Sequence, residues 1–336
     1  MRYGHKILKG IALPGIIYRV MRNIAVQKKF LQQNTDPILQ DAFNKNDGSL
    51  DQNDLTKIDR YYGLAVPAIL GEAFCALRGS PMTLNERWAS TSQGAMTGLF
   101  DDFFDKDYLT DDAVAKMISP GYDLSSKRSN QQLFDTFYQK ALQHCHDRKI
   151  MQDALLEVYR AQVESKKQQD NSITKEVILN ITFDKGGSSL IFYRTAFSPA
   201  ASAAEITLFY KLGGLMQLAN DIFDVYKDRE SGIHTLITET NSIKESRHFF
   251  KTRLAEYYND AFEIGFPKPQ VQKFLDIISI GIFSRCFVCL DQLEENEKTS
   301  GNKFSVHAYS RQQLICDMDK KTNMLRSAWS HIHDIP

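Results

Sequence analysis

Apolar residues return every three to four positions along most of the chain, and strict alternation is scarce. That period predicts helices rather than strands. After an N-terminal stretch over 8–30, it marks helical segments at 61–77, 83–105, 111–118, 131–145, 148–167, 173–197, 203–229, 243–264, 271–293 and 310–329. Breakers separate them: Arg78-Gly79-Ser80-Pro81, Ser119-Pro120-Gly121, Ser198-Pro199, Ser231-Gly232 and the run from Gly265 to Pro269. Thr83, with Glu86 three residues on, reads as a capping box opening the 83–105 segment. Many helices joined by short connections predict an all-α bundle closed around one core. The expected organisation is a single domain over 1–336, with 1–55 as an N-terminal extension.

Composition narrows the class. The chain has 336 residues, 43% hydrophobic and 24% charged, as expected of a folded protein with a large core. Lys plus Arg and Asp plus Glu are both 41, so there is no global field to draw in nucleic acid, and an anionic ligand must be held locally. The five cysteines are scattered and odd in number, and no export signal is recognised, which predicts a reduced, cytoplasmic setting. Cys286 and Cys289 have CxxC spacing within an apolar run and read as packing residues. The run from Asn44 to Asp51, with Gly48 after Asp47, sets no calcium ligands in register and reads as a loop. No run is long and apolar enough to span a bilayer, and the basic, apolar 8–30 stretch reads as a basic-faced helix packed on the domain, with an interfacial segment touching anionic lipid as the alternative.

Two acidic clusters carry the chemistry. Asp101-Asp102-Phe103-Phe104-Asp105 ends an apolar helical segment, and Asn220-Asp221-Ile222-Phe223-Asp224-Val225-Tyr226-Lys227-Asp228 ends another. At about 100° per residue Asp101 and Asp105 share a face, with Asp102 to one side, while Asn220, Asp224 and Asp228 form one stripe. Like charges at i,i+4 repel, and a divalent cation reverses the sign of that interaction. Oxygen ligands without His or Cys suit Mg²⁺ rather than zinc. Two such sets predict two walls of one metal-lined cavity. Lys185, Arg194, Lys227 and Arg229 lie near in sequence, and Gly186-Gly187 leaves the backbone open to a ligand or to another helix. Acid, metal and base together describe a diphosphate site.

These motifs resemble those of the class I isoprenoid synthases, the superfamily of terpene cyclases and prenyl-diphosphate-joining enzymes. Asp101 to Asp105 is similar to their DDxxD motif, and Asn220 to Asp228 to the cyclases' NDxxSxxKE, with Asp for the serine and for the final glutamate. Lys185-Gly186-Gly187 resembles a short stretch of the bacterial tetraprenyl-β-curcumene synthases. The resemblance implies a class I terpenoid synthase-like helical bundle around a central cavity, acting on a prenyl diphosphate. Three Mg²⁺ ions would be held by Asp101, Asp105, Asn220, Asp224 and Asp228, with Asp102 alongside. Lys185, Arg194, Lys227 and Arg229 would draw on the departing diphosphate, and Phe74, Phe100, Phe103, Phe104, Phe192 and Phe223 would line the cavity. A homodimer and peripheral membrane contact are compatible with it. The alternative is a prenyltransferase joining two isoprenoid diphosphates, squalene or phytoene synthase-like or chain-elongating. Lys106-Asp107-Tyr108, where elongating enzymes carry an arginine pair, argues against elongation, and Tyr309 and Arg311 are only a loose substitute for the cyclases' arginine-tyrosine pair.

Overall fold

Helix caps and apolar faces set most of the architecture. A computed structural model describes residues 2–105, 109–119, 121–122 and 127–336, the side chains of 2–5 and of Asp105 excepted. In chain order the helices are α1 (Arg2–Asn34), α2 (Asp36–Asn44), α3 (Gln52–Thr56), α4 (Gly63–Ala65), α5 (Glu72–Arg78), α6 (Leu84–Asp105), α7 (Asp111–Met117), α8 (Ser129–His144) and α9 (Arg148–Ser165). They continue as α10 (Lys175–Arg194), α11 (Ala203–Phe223), α12 (Val225–Glu230), α13 (Ile243–Ala261), α14 (Lys268–Ile278), α15 (Ser284–Thr299), α16 (Arg311–Leu314) and α17 (Lys321–His333). Among the described residues there is no strand, so the fold is all-α as the periodicity predicts.

The chain divides into two compact units. One comprises Arg19–Tyr159 with Ile191–Ser202. Its axis is α6, which packs most extensively on α8. The Thr83 hydroxyl accepts from the Glu86 N–H at 3.2 Å while the Glu86 carboxylate accepts from the Thr83 N–H at 2.8 Å, the capping box expected. Gly79, at φ +79°, ends α5 in the left-handed conformation that glycine tolerates best. Widened π turns at Lys57–Tyr62 and Val66–Gly71 flank α4, and a Cβ on Gly94 of α6 would stand 2.4 Å from the Tyr62 carbonyl oxygen, so backbone packs on backbone there. Phe103, Phe134 and Phe137 are fully buried at the α6–α8 interface region of this core.

The other unit comprises the chain up to Tyr18, Arg160–Leu190 and Ala203–Pro336. Its core includes Phe250, whose ring meets Phe283 at 5.9 Å and Phe287 at 5.6 Å between centroids, together with Leu212, Leu254 and Leu290. Cys286 and Cys289 are buried here as packing residues, and burial pushes the Cys286 thiol far above its usual range. A π turn at Ser279–Phe283 joins α14 to α15, where one continuous helix is expected from the pattern. The 310–329 segment is likewise divided, into α16 and α17.

Candidate functional site

The first acidic motif sits in the last turn and a half of α6. Its aromatics are anchored to neighbouring helices: Phe103 meets Phe134 edge-on at 5.5 Å, Phe100 stacks on Phe134 at 5.8 Å, and Phe104 lies 6.1 Å from Tyr159. Asp102 is only 7% exposed, and the Lys57 ammonium donates to its Oδ1 at 2.6 Å. Asp102 therefore closes an ion pair between α6 and the π turn at Lys57–Tyr62. Asp101 is half-buried, one turn beyond Thr97, whose hydroxyl lies 2.9 Å from that of Tyr193. Burial, with the Asp101 charge nearby, pushes the Tyr193 phenol well above its usual range. Asp105 ends the helix, its side chain outside the described residues, as is Lys106-Asp107-Tyr108.

The second motif is shaped by a break at Asp224. A single helix over 203–229 is expected, but α11 stops at Phe223 and α12 begins at Val225, with Asp224 at φ −94°, ψ 11°. The carbonyl ladder nevertheless runs through, since Asp224 N–H donates to Asn220 O and Asp228 N–H to Asp224 O, both at 2.8 Å. Asn220 is exposed and its Nδ2 donates to Asp224 Oδ2 at 3.3 Å. Asp221 is 3% exposed and accepts from Gln217 Nε2 at 2.9 Å, with its second oxygen also buried. Burial raises the Asp221 carboxyl to about 6 against the pull of Gln217 and Lys185. Burial, followed by the charges of Asp221 and Asp224, drives Asp228 up to about 8, while Lys227 and Lys185 act in the opposite direction. The spacing alone does not single out Asp221; its position one residue after Asn220 turns it toward α10 rather than along the exposed stripe.

Lys185 belongs to this cluster because α10 and α11 cross at glycines. A Cβ on Gly186 would lie 2.0 Å from Gly213 O, and Gly187 and Gly214 face the rings of Tyr210 and Phe183. Of the two readings of Gly186-Gly187, approach of another helix is the one the structure contains. The other cations are differently employed. Arg194 is buried and donates to Phe197 O at 2.7 Å and Pro199 O at 2.9 Å, with its guanidinium 6.0 Å from the Phe74 ring, so it secures the turn after α10. Arg229 donates to Tyr309 O at 2.6 Å and Val306 O at 3.2 Å and lies 4.9 Å from the Tyr226 ring, which Arg311 also approaches at 5.7 Å. Lys227 is exposed. Phe74 packs on Phe197, Phe192 on Tyr193, and Phe223 lies 5.4 Å from the Arg285 guanidinium.

Among the described residues, no three or more His, Cys, Asp or Glu side chains are grouped to hold a metal ion. The second motif fits a hard cation by donor chemistry, offering one amide and several carboxylates whose mutual repulsion a cation would relieve, but Asn220 turns its nitrogen, not its oxygen, toward Asp224. A surface hollow of about 440 Å³ is lined by Asp291, Gln292, Glu294, Glu295, Lys298 and Arg326, none of which belongs to either motif. The chain matches no protein-family model, and no curated protein matches it.

Proposed function

We propose that the protein is a Mg²⁺-dependent class I terpene synthase, built on that superfamily's helical bundle, which ionises an allylic prenyl diphosphate to a carbocation that is then cyclised or quenched. The observation that carries the reading is the carboxylate set of Asp221, Asp224 and Asp228 beside Lys185, in which burial and mutual repulsion drive Asp228 up to about 8. Asn220, Asp224 and Asp228 would hold Mg²⁺, which when bound supplies neutralising charge to a departing diphosphate. Asp101 and Asp105 offer ligands of the same oxygen type.

The chain's own contribution is positional and electrostatic. Lys185, held next to the carboxylates by the Gly186–Gly213 crossing, and the exposed Lys227 are the cations placed to bind an anionic group there. Arg229 holds α12 against the Val306–Tyr309 stretch and thereby fixes the last residues of the motif. Arg194 and Asp102 act by securing the turn after α10 and the end of α6.

The test is incubation of the purified protein with geranyl, farnesyl, geranylgeranyl and longer prenyl diphosphates, singly and in pairs, with Mg²⁺ or EDTA. Metal-dependent diphosphate release that is lost in Asn220→Ala and Asp224→Ala, with hydrocarbon product from one substrate, is the expected result. Product formed only from paired diphosphates would replace the cyclase with a prenyltransferase. No release from any of them by folded, metal-supplied protein would overturn the proposal.

A further inference from the structure

Helix α1 is apolar on two sides, and protein covers only one of them. Ile16, Val20 and Leu31 are buried, whereas Ile7, Ile11 and Tyr18, which at about 100° per residue lie within an arc of about 40°, face outward. Leu8 borders the same face. Helix α17 adds Leu325 and Trp329, one turn apart, and these six side chains are each between 64% and 72% exposed. The two helices are tied together: Ile332 packs over Gly10, Lys9 Nζ donates to the Ile335 carbonyl at 2.9 Å, and Lys6 Nζ lies 3.1 Å from Nδ1 of His333, whose ring is 3.8 Å from that of Trp329 at a tilt of 33°. Exposed large apolar side chains grouped in this way mark a contact surface.

Charge identifies what the surface meets. Between Arg2 and Asn34 there are seven Lys and Arg residues and no Asp or Glu, in a chain that is neutral as a whole. Helix α17 carries Lys321 and Arg326 and again no acid within it, Arg326 being paired with Asp291 of α15 at 3.0 Å. On α17 the exposed Lys321 stands one turn before Leu325, on the stripe of Leu325 and Trp329, and the exposed Lys320 precedes it. A second copy docking through this face would oppose like charge to like charge. Apolar side chains and a tryptophan beside exposed basic side chains match the acyl boundary and the anionic headgroups of a lipid bilayer.

We infer that the outer faces of α1 up to Tyr18 and of α17 form a docking surface for an anionic membrane, on which the protein lies peripherally. Among the described residues no helix is long and apolar enough to cross a bilayer, so the association is interfacial. It does not depend on the catalytic reading.

Flotation of the full-length protein with phosphatidylcholine vesicles, with and without phosphatidylglycerol, tests the inference. Binding should require phosphatidylglycerol and weaken with added salt. In a Trp88→Phe protein, where Trp329 is the remaining tryptophan, its emission should shift to the blue on vesicle addition. The double change Lys320→Glu with Lys321→Glu should weaken partitioning by about thirtyfold or more, and Ile11→Ser with Leu325→Ser should weaken it while leaving thermal unfolding unchanged. Folded protein that binds neither vesicle, or binds both equally with no response to salt or to these changes, overturns the inference. So does concentration-dependent self-association abolished by Ile11→Ser with Leu325→Ser without vesicle binding, which would assign the surface to a second copy.

Discussion

Gly186 and Gly213 cross so closely that a Cβ on either would stand 2.0 to 2.1 Å from the other's carbonyl oxygen. Neither backbone can yield as a side chain would. Gly186→Ala should therefore destabilise the protein by about 1–3 kcal/mol despite alanine's better helix propensity. Gly15→Ala in α1, where a Cβ would meet nothing within 4 Å, should stabilise by roughly 0.5–1 kcal/mol. Denaturant unfolding of the two variants, side by side, checks the opposite signs; equal effects would remove the argument for a required crossing.

The Lys57–Asp102 pair is largely buried, so loss of Asp102 leaves the Lys57 ammonium without the carboxylate it donates to. Asp102→Ala should cost about 1–3 kcal/mol, and Lys57→Met with Asp102→Leu should cost less than the two single changes summed. A double-mutant cycle on unfolding free energies measures the coupling. Additive single effects would show that the pair contributes nothing to the end of α6.

Glu86 ties together three segments of its unit. It accepts from Arg78 through both carboxylate oxygens, from the Thr83 N–H at 2.8 Å and from the Ser198 N–H at 3.1 Å. Burial alone would raise its carboxyl, but these donors overcome it and hold the group at about 2. A carboxyl lowered by folding contributes stability that is present above its unfolded value and lost as pH falls toward about 2. Between pH 5 and pH 2 the wild type should lose roughly 2 kcal/mol more than Glu86→Gln. Acid unfolding curves that run parallel for the two proteins would contradict this.

Asp228 has the opposite sign. Its carboxyl is raised by burial and by Asp221 and Asp224, so the folded protein binds a proton more tightly than the unfolded chain. Stability should decline as pH rises from about 4 toward about 8, on the order of 2 kcal/mol in EDTA. Asp228→Asn should remove most of that decline. Added Mg²⁺ should raise the wild-type Tm at pH 8 and leave that of Asp228→Asn nearly unchanged, as read by thermal scans with and without EDTA.

The capping box at Thr83 and Glu86, the stop at Gly79 and the helical course of α8, α9 and α13 are legible in the residues, because each depends on neighbours within a turn or two. Helix α2 was less so: it stands between the 8–30 stretch and the loop from Asn44, where no helical segment is expected, and only residues 45–51 are irregular. The break at Asp224 gives no local signal either. No Gly or Pro marks it, and Asp224 keeps its backbone hydrogen bonds while leaving helical dihedrals.

What the sequence by itself determined is the all-α class, the helical placement of both acidic motifs and the i,i+4 order of their oxygen donors, since a helix imposes its period on whatever residues it contains. What only the tertiary structure decided is the partner of each charge. Lys57 lies 45 residues before Asp102, and Arg229 reaches Tyr309 across 80 residues. Lys185 meets the second motif because two glycine pairs let α10 and α11 touch, and Arg194, nine residues further along the same helix, is spent on the carbonyls of its own turn. Helical period acts over a few residues, whereas burial and charge pairing depend on chain segments brought together only by the packed core.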